Sequence, residues 1–178
     1  MIKTDIVNVV TTAALNQELD LDALGKFREI LHDSEIYGGR VAYFKTSNME
    51  GKVSLFASGK MISVGTTSEE EAFYELEHVK KFLVEKGFAK PTLLQPKVQN
   101  IVVTVDFRES INLEELVKNC KMIYEPEQFP SGILKIEEPY KATVLIFASG
   151  KAVIAGLKSS NQIKPTIQNL VNLMNVCK

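Results

Sequence analysis

Lys60 and Lys151 each close the same pentapeptide, FASGK, in two copies set 91 residues apart, Phe56 to Phe147. A glycine followed by lysine is the kind of pair that meets phosphate. The full G-x-x-x-x-G-K-[ST] pattern is absent, however, and Met61 or Ala152 follows the lysine, so a nucleotide-hydrolysing loop is a poor reading. His32 and His78 have no paired nucleophile and no metal-ligand spacing, and both are expected as ordinary helix residues. Cys120 and Cys177 lack metal-type spacing and are expected as reduced thiols. The chemistry on offer is therefore recognition by hydrogen bonds, charge and apolar contact. No catalytic group, cofactor or metal is expected.

Positioning these residues takes a repeated unit. Aligning the two FASGK turns also aligns Gly65 with Gly156 and Ser68 with Ser159. The stretch Asp5 to Thr12 resembles Val98 to Val105, and Asn8 in the first is matched with Asn100 in the second. Each half reads as a strand, a short helix (Asp20–His32; Leu113–Lys121), several strands and a final helix (Ser68–Lys86; Ser160–Val176). The proline-bearing stretch Lys90 to Lys97 joins them, giving expected repeats of residues 1–92 and 93–178. Ser68 is a candidate N-cap, and Glu69, Glu70 and Glu71 suit the positive end of the helix dipole, so this acidic run marks a helix start. Gly87 is the expected stop. Pro165 predicts a kink or a late start in the final helix.

The chain has 178 residues, 45% of them hydrophobic, which suffices for a real core. Its N-terminus lacks the regions of a secretion signal, and no apolar run suits a spanning helix, so a cytoplasmic, nucleoid-associated protein is expected. The net charge of −1 is unlike that of most nucleic-acid binders. The distribution is less even: residues 1–90 hold 11 Lys and Arg against 14 Asp and Glu, and residues 91–178 hold 10 against 8. The second half is the better phosphate partner. Several strands, including IVNVV, NIVVTV and VLIF, carry apolar residues at both parities, which predicts cover on both sheet faces. With four helices on one face, the other would be an apolar surface interrupted by Asn8 and Asn100. An internally closed sandwich would need more elements than the chain holds.

The repeat, both FASGK turns, both asparagines and the stretch YEPEQFP (Tyr124 to Pro130) together resemble the TATA-box-binding protein family in its short archaeal form, over essentially the whole chain. The resemblance implies an α+β fold, a two-repeat saddle whose curved antiparallel sheet sits on the DNA minor groove with four helices on its convex face. It implies a transcription initiation factor, not an enzyme, that binds and bends A·T-rich promoter DNA. Asn8 and Asn100 would donate to minor-groove acceptors. Phe56, Phe129 and Phe147 would act as wedges, with Tyr37 the nearest aromatic to the fourth wedge position. Val10, Ile62, Val102, Leu145 and Val153 would touch sugar and base edges, and Lys60, Lys135, Lys151 and Lys158 would meet phosphate. Glu125 and Glu127 would face transcription factor B. A homodimer through the concave face attaches to the same surface.

Departures from the family pattern lie mostly in the first half. Val64 and Ala155 replace threonines near the central base pairs, Thr67 stands where a lysine is expected, and the first-half arginine is read as Tyr43 or absent. The alternative reading is a diverged paralogue, a protein-binding saddle with weak or altered DNA binding.

Overall fold

Alternation along the strands produces the architecture. In the computed structural model, which describes residues 1–176, Val53 and Leu55 are buried while Ser54 and Phe56 between and beyond them stay partly open. The same two-residue period recurs in the later strands, so within each unit the strands have one buried face and one available face. The described residues form ten strands and four α-helices, the α+β class expected. They divide into two compact units, one of Asn8–Gln99 and one of Asn100 onward together with Met1–Val7.

The first unit takes β1 (Lys3–Ala14) from Asn8 on, then α1 (Leu21–Leu24), β2 (Ile30–His32), β3 (Val41–Phe44), β4 (Lys52–Phe56), β5 (Lys60–Thr66) and α2 (Glu69–Glu85). Its strands lie in the order β2-β3-β4-β5-β1. Leu76, Val79 and Leu83 of α2 pack with Phe44, Val53, Leu55 and Met61 in a fully buried core. Ser68 caps α2 by accepting from the Glu71 N–H at 3.0 Å, as expected of that residue type.

The second unit repeats the plan with β6 (Lys97–Asp106) from Asn100 on, α3 (Leu113–Asn119), β7 (Met122–Tyr124), β8 (Ser131–Ile136), β9 (Ala142–Phe147), β10 (Lys151–Leu157) and α4 (Ile163–Val176). Its order, β6-β10-β9-β8-β7, matches that of the first unit strand for strand. A 3-10 turn, Ser160–Gln162, precedes α4, so Pro165 falls in the first turn, where its missing N–H costs no helical bond. The expected late start is the outcome.

The duplicated FASGK turn has a structural cause. Gly59 and Gly150 take φ of +80° and +82°, and a Cβ at either would collide with a main-chain carbonyl, that of Gln17 or of Glu109. Each turn grips the segment leaving the unit's first strand. Leu15 N–H donates to Gly59 O at 3.0 Å and Leu19 N–H to Ala57 O at 2.9 Å. Phe107 N–H and Ile111 N–H donate in the same way to Gly150 O and Ala148 O, at 2.9 and 3.0 Å. Glycine is kept for the clamp, and the lysine simply begins the next strand.

Three expectations need correction. The helix read over Asp20–His32 is only Leu21–Leu24: Gly25 N–H closes it onto Leu21 O at 2.8 Å, and Ile30, Leu31 and His32 pair with Phe44, Tyr43 and Ala42. Long-range pairing outweighs the local helical pattern. His32 therefore lies on a strand, not a helix, its ring nitrogens 3.1 Å from Val41 O and 3.0 Å from Asp22 Oδ1. Cys120 is disulfide-bonded rather than a free thiol, because pairing depends on proximity in space, which sequence spacing does not report. Cys177 lies outside the described residues.

Candidate nucleic-acid interface

Both asparagines are held by a glycine main chain. Asn8 Oδ1 accepts from Gly65 N–H at 2.8 Å, and Asn100 Oδ1 accepts from Gly156 N–H at 2.7 Å. Each bond sits beside a break in strand register, between Val9 and Val10 in one unit and between Ala155 and Leu157 in the other. A bulge turns one N–H out of the ladder, and that donor finds the carboxamide oxygen. With its oxygen committed, each side chain presents its NH2 group as a pair of donors. The two units thus hold the same donor in the same way.

Around the asparagines run cross-strand rows on the open face. In the second unit one row reads Ile123, Ile133, Leu145, Val153, Thr104, and the next reads Lys135, Thr143, Ala155, Val102. In the first unit the corresponding rows read Leu31, Tyr43, Ser54, Ile62, Thr12 and then Lys52, Val64, Val10. Val10, Ile62, Val64, Val102, Leu145, Val153 and Ala155 are all half-buried, so their side chains are available on this face. The outer ends are more open, with Leu31 71% and Ile123 59% exposed.

Aromatic rings differ between the units. Phe129 and Phe147 meet edge to face with centroids 6.4 Å apart. Phe147 pairs with Ser131 as Phe56 pairs with Val41, so the position two residues earlier is Phe129 in one unit and Gly39 in the other. Tyr37 lies two residues further back, well exposed, in left-handed backbone with φ of 52°.

Cations differ too. Lys60, Lys135, Lys151 and Lys158 are exposed. By register, Lys45 follows Phe44 as Lys135 follows Leu134, so Lys45 is the first unit's counterpart of Lys135. Its ammonium is turned into the β3–β4 loop, donating to the carbonyls of Met49 at 2.7 Å, Glu50 at 2.9 Å and Gly51. Lys52 instead lies over the Tyr43 ring, 4.7 Å from its centroid. Beneath this loop Glu75 of α2 is buried, accepting from Gly51 N–H at 2.6 Å and Ser63 Oγ at 3.2 Å. Burial pushes its carboxyl above the ordinary range, against the pull of those donors and of Lys45.

A family model described as "Transcription factor TFIID (or TATA-binding protein, TBP)" matches residues 3–85 and again 95–177. The chain belongs to the TATA-binding protein family. It is 37% identical over 171 residues to the TATA-box-binding protein of Cenarchaeum symbiosum, covering 96% of this chain and 93% of that one. The TATA-box-binding protein of Methanococcus aeolicus is 32% identical, over 94% of this chain and 91% of its own. The solved structure of Methanococcus jannaschii TBP superposes with a TM-score of 0.84 at 30% identity, covering 97% of this chain and 98% of that chain. The family is one of DNA-binding transcription factors, not of enzymes. Among the described residues no helix is long and apolar enough to cross a membrane.

Within the TATA-binding fold, the residues sequence reasoning missed are the rest of each row: Thr12, Leu31, Lys52 and Ser54 in one unit, Thr104, Ile123, Ile133 and Thr143 in the other. Counting by twos from the named residues reaches several of them. Glu125 and Glu127 are exposed in the turn before Phe129, where Gln128 N–H and Phe129 N–H both donate to Glu125 O, at 2.9 and 3.0 Å. That turn sends both carboxylates outward beside the aromatic pair.

Proposed function

We propose that this transcription factor binds A·T-rich promoter DNA through the minor groove, bends it, and recruits transcription factor B. The observation that carries the reading is the twice-built asparagine, its oxygen tied to a bulge N–H and its amide donors set beside half-buried Val10 and Val64 in one unit and Val102 and Ala155 in the other. Minor-groove edges of A·T pairs offer acceptors at adenine N3 and thymine O2, and G·C pairs add a guanine amino donor. A face with few acceptors suits A·T. Phe129 and Phe147 supply a wedge pair able to unstack a base step, and Phe56 supplies a single ring in the other unit. Lys60, Lys135, Lys151 and Lys158 neutralise phosphates, and Glu125 and Glu127 offer an acidic contact to transcription factor B. In the absence of DNA, the same apolar face is a candidate surface for pairing with a second copy.

Equilibrium binding to A·T-rich and G·C-rich duplexes over a salt series tests the reading. Each neutralised phosphate contributes a slope of about −0.9 in log affinity against log salt, so the A·T-rich complex should weaken steeply as salt rises. Equal affinity for the two duplexes would overturn it. A second reading, a diverged paralogue with weak or altered DNA binding, draws support from the first unit, where Lys45 is spent on a loop and Gly39 holds the position that Phe129 holds in the second. Binding to transcription factor B without DNA binding would favour that alternative.

A further inference from the structure

The two units do not offer the same chemistry to a base edge. Ser54 pairs with Ile62 and Tyr43 in the register in which Leu145 pairs with Val153 and Ile133. Leu145 and Ser54 therefore hold one position in the repeated face, both half-buried and both on its open side. Leu145 presents only methyl groups there, and Ser54 presents a hydroxyl with two acceptor lone pairs. Two other hydroxyls share the Ser54 row. Thr12 Oγ1 is already engaged, accepting from Gln99 Nε2 at 2.9 Å, and the Tyr43 ring is held under Lys52.

We infer that Ser54 lets the first unit accept a G·C pair at the step it covers, by taking a hydrogen bond from the guanine 2-amino group, whereas Leu145 makes the second unit reject G·C at the matching step. The inference rests on the minor-groove reading and adds a direction to it. A guanine amino group pressed against leucine loses its water and gains no acceptor, and an unmatched buried donor costs roughly tenfold in affinity. Against serine the donor is matched. The shorter side chain also leaves room for a group that projects from the groove floor.

The test uses the full chain and a family of duplexes, each an A·T-rich site carrying one G·C pair, stepped through every position, and a second family carrying inosine·cytosine at the same positions. Inosine lacks only the 2-amino group, so the ratio of the two affinities isolates that group. In the wild type, the ratio should favour inosine by about tenfold at one step and stay near unity at its symmetry-related partner. Ser54→Leu should make both steps favour inosine, and Leu145→Ser should bring both near unity. Circular dichroism checks that each variant is folded. If the wild-type ratio is the same at the two steps, or if Ser54→Leu leaves the profile unaltered, the inference is overturned while A·T-rich binding stands. If the unmodified A·T-rich duplex is not preferred in the first place, it is the minor-groove reading that fails.

Discussion

The open faces of the two units share one scaffold and differ in what they spend on it. Both keep the asparagine tied to a bulge glycine, the clamped FASGK turn and a phenylalanine at the end of the fourth strand. The second unit adds Phe129 against Phe147, a continuous apolar row through Ile133 and Leu145, and an exposed Lys135. The first has Gly39, Tyr43, Ser54 and an inward-turned Lys45 in those places. A duplicated backbone fixes where groups stand, and substitution within it decides which unit grips harder. The second unit should dominate both wedging and phosphate contact.

Removing a wedge should give the largest effect. Base stacking on an aromatic ring is worth about 1–3 kcal/mol, so Phe129→Ala or Phe147→Ala should weaken A·T-rich binding by about tenfold or more and reduce the bend seen by fluorescence transfer. Phe56→Ala, with no partner ring at Gly39, should lose less on both readouts. Equal losses would dissolve the difference between the units. Next comes the acidic turn. The double substitution Glu125→Arg, Glu127→Arg should cost about tenfold or more in ternary-complex formation with transcription factor B while leaving binding to DNA alone nearly unchanged, as measured by gel shift.

The two equivalent lysines sharpen the comparison further. Lys135→Ala should reduce the salt slope of DNA binding by about one unit. Lys45→Ala should leave that slope alone and instead lower folding stability by about 1–2 kcal/mol, because three loop carbonyls lose their donor. Denaturant melts and salt titrations of the pair decide it. The smallest effect concerns Glu75. Its folded-state carboxyl titrates above its unfolded value, so its ionisation weakens the fold progressively as pH rises through the carboxyl range, and acidification restores that stability. Glu75→Gln keeps an acceptor for Gly51 N–H without the buried charge. It should be more stable than the wild type at neutral pH, by about 1 kcal/mol, with the advantage shrinking as pH falls toward 4.5. A gap constant with pH would remove the titration from the account.

What the sequence made legible was whatever repeats or alternates. The two copies, the Ser68 cap and the late start before Pro165 all follow from patterns within a few residues or from self-alignment, and the α+β class follows from the family resemblance those repeats carry. What stayed hidden depends on contacts between distant segments. Residues Ile30–His32 look helical locally and become a strand because β3 pairs with them. Lys45 looks like a loop lysine, and only the register with β4 shows it as the counterpart of Lys135. Asn8 and Asn100 stood out as polar breaks in apolar strands, but the N–H donors that orient them come from Gly65 and Gly156, more than fifty residues away. Glu75 sits one place from the apolar stripe of α2, and nothing local marks it as buried.

The central claim is that two glycine-tied asparagines on the open faces of the two units read the minor groove. It is tested most directly by binding one site in three forms: A·T-rich, the same site with every A·T replaced by inosine·cytosine, and the same site in G·C. Inosine·cytosine presents an A·T-like minor groove and a G·C-like major groove. The account predicts that the inosine duplex binds within about tenfold of the A·T-rich one, while the G·C duplex falls to the non-specific level. An inosine duplex bound as weakly as the G·C duplex would contradict it.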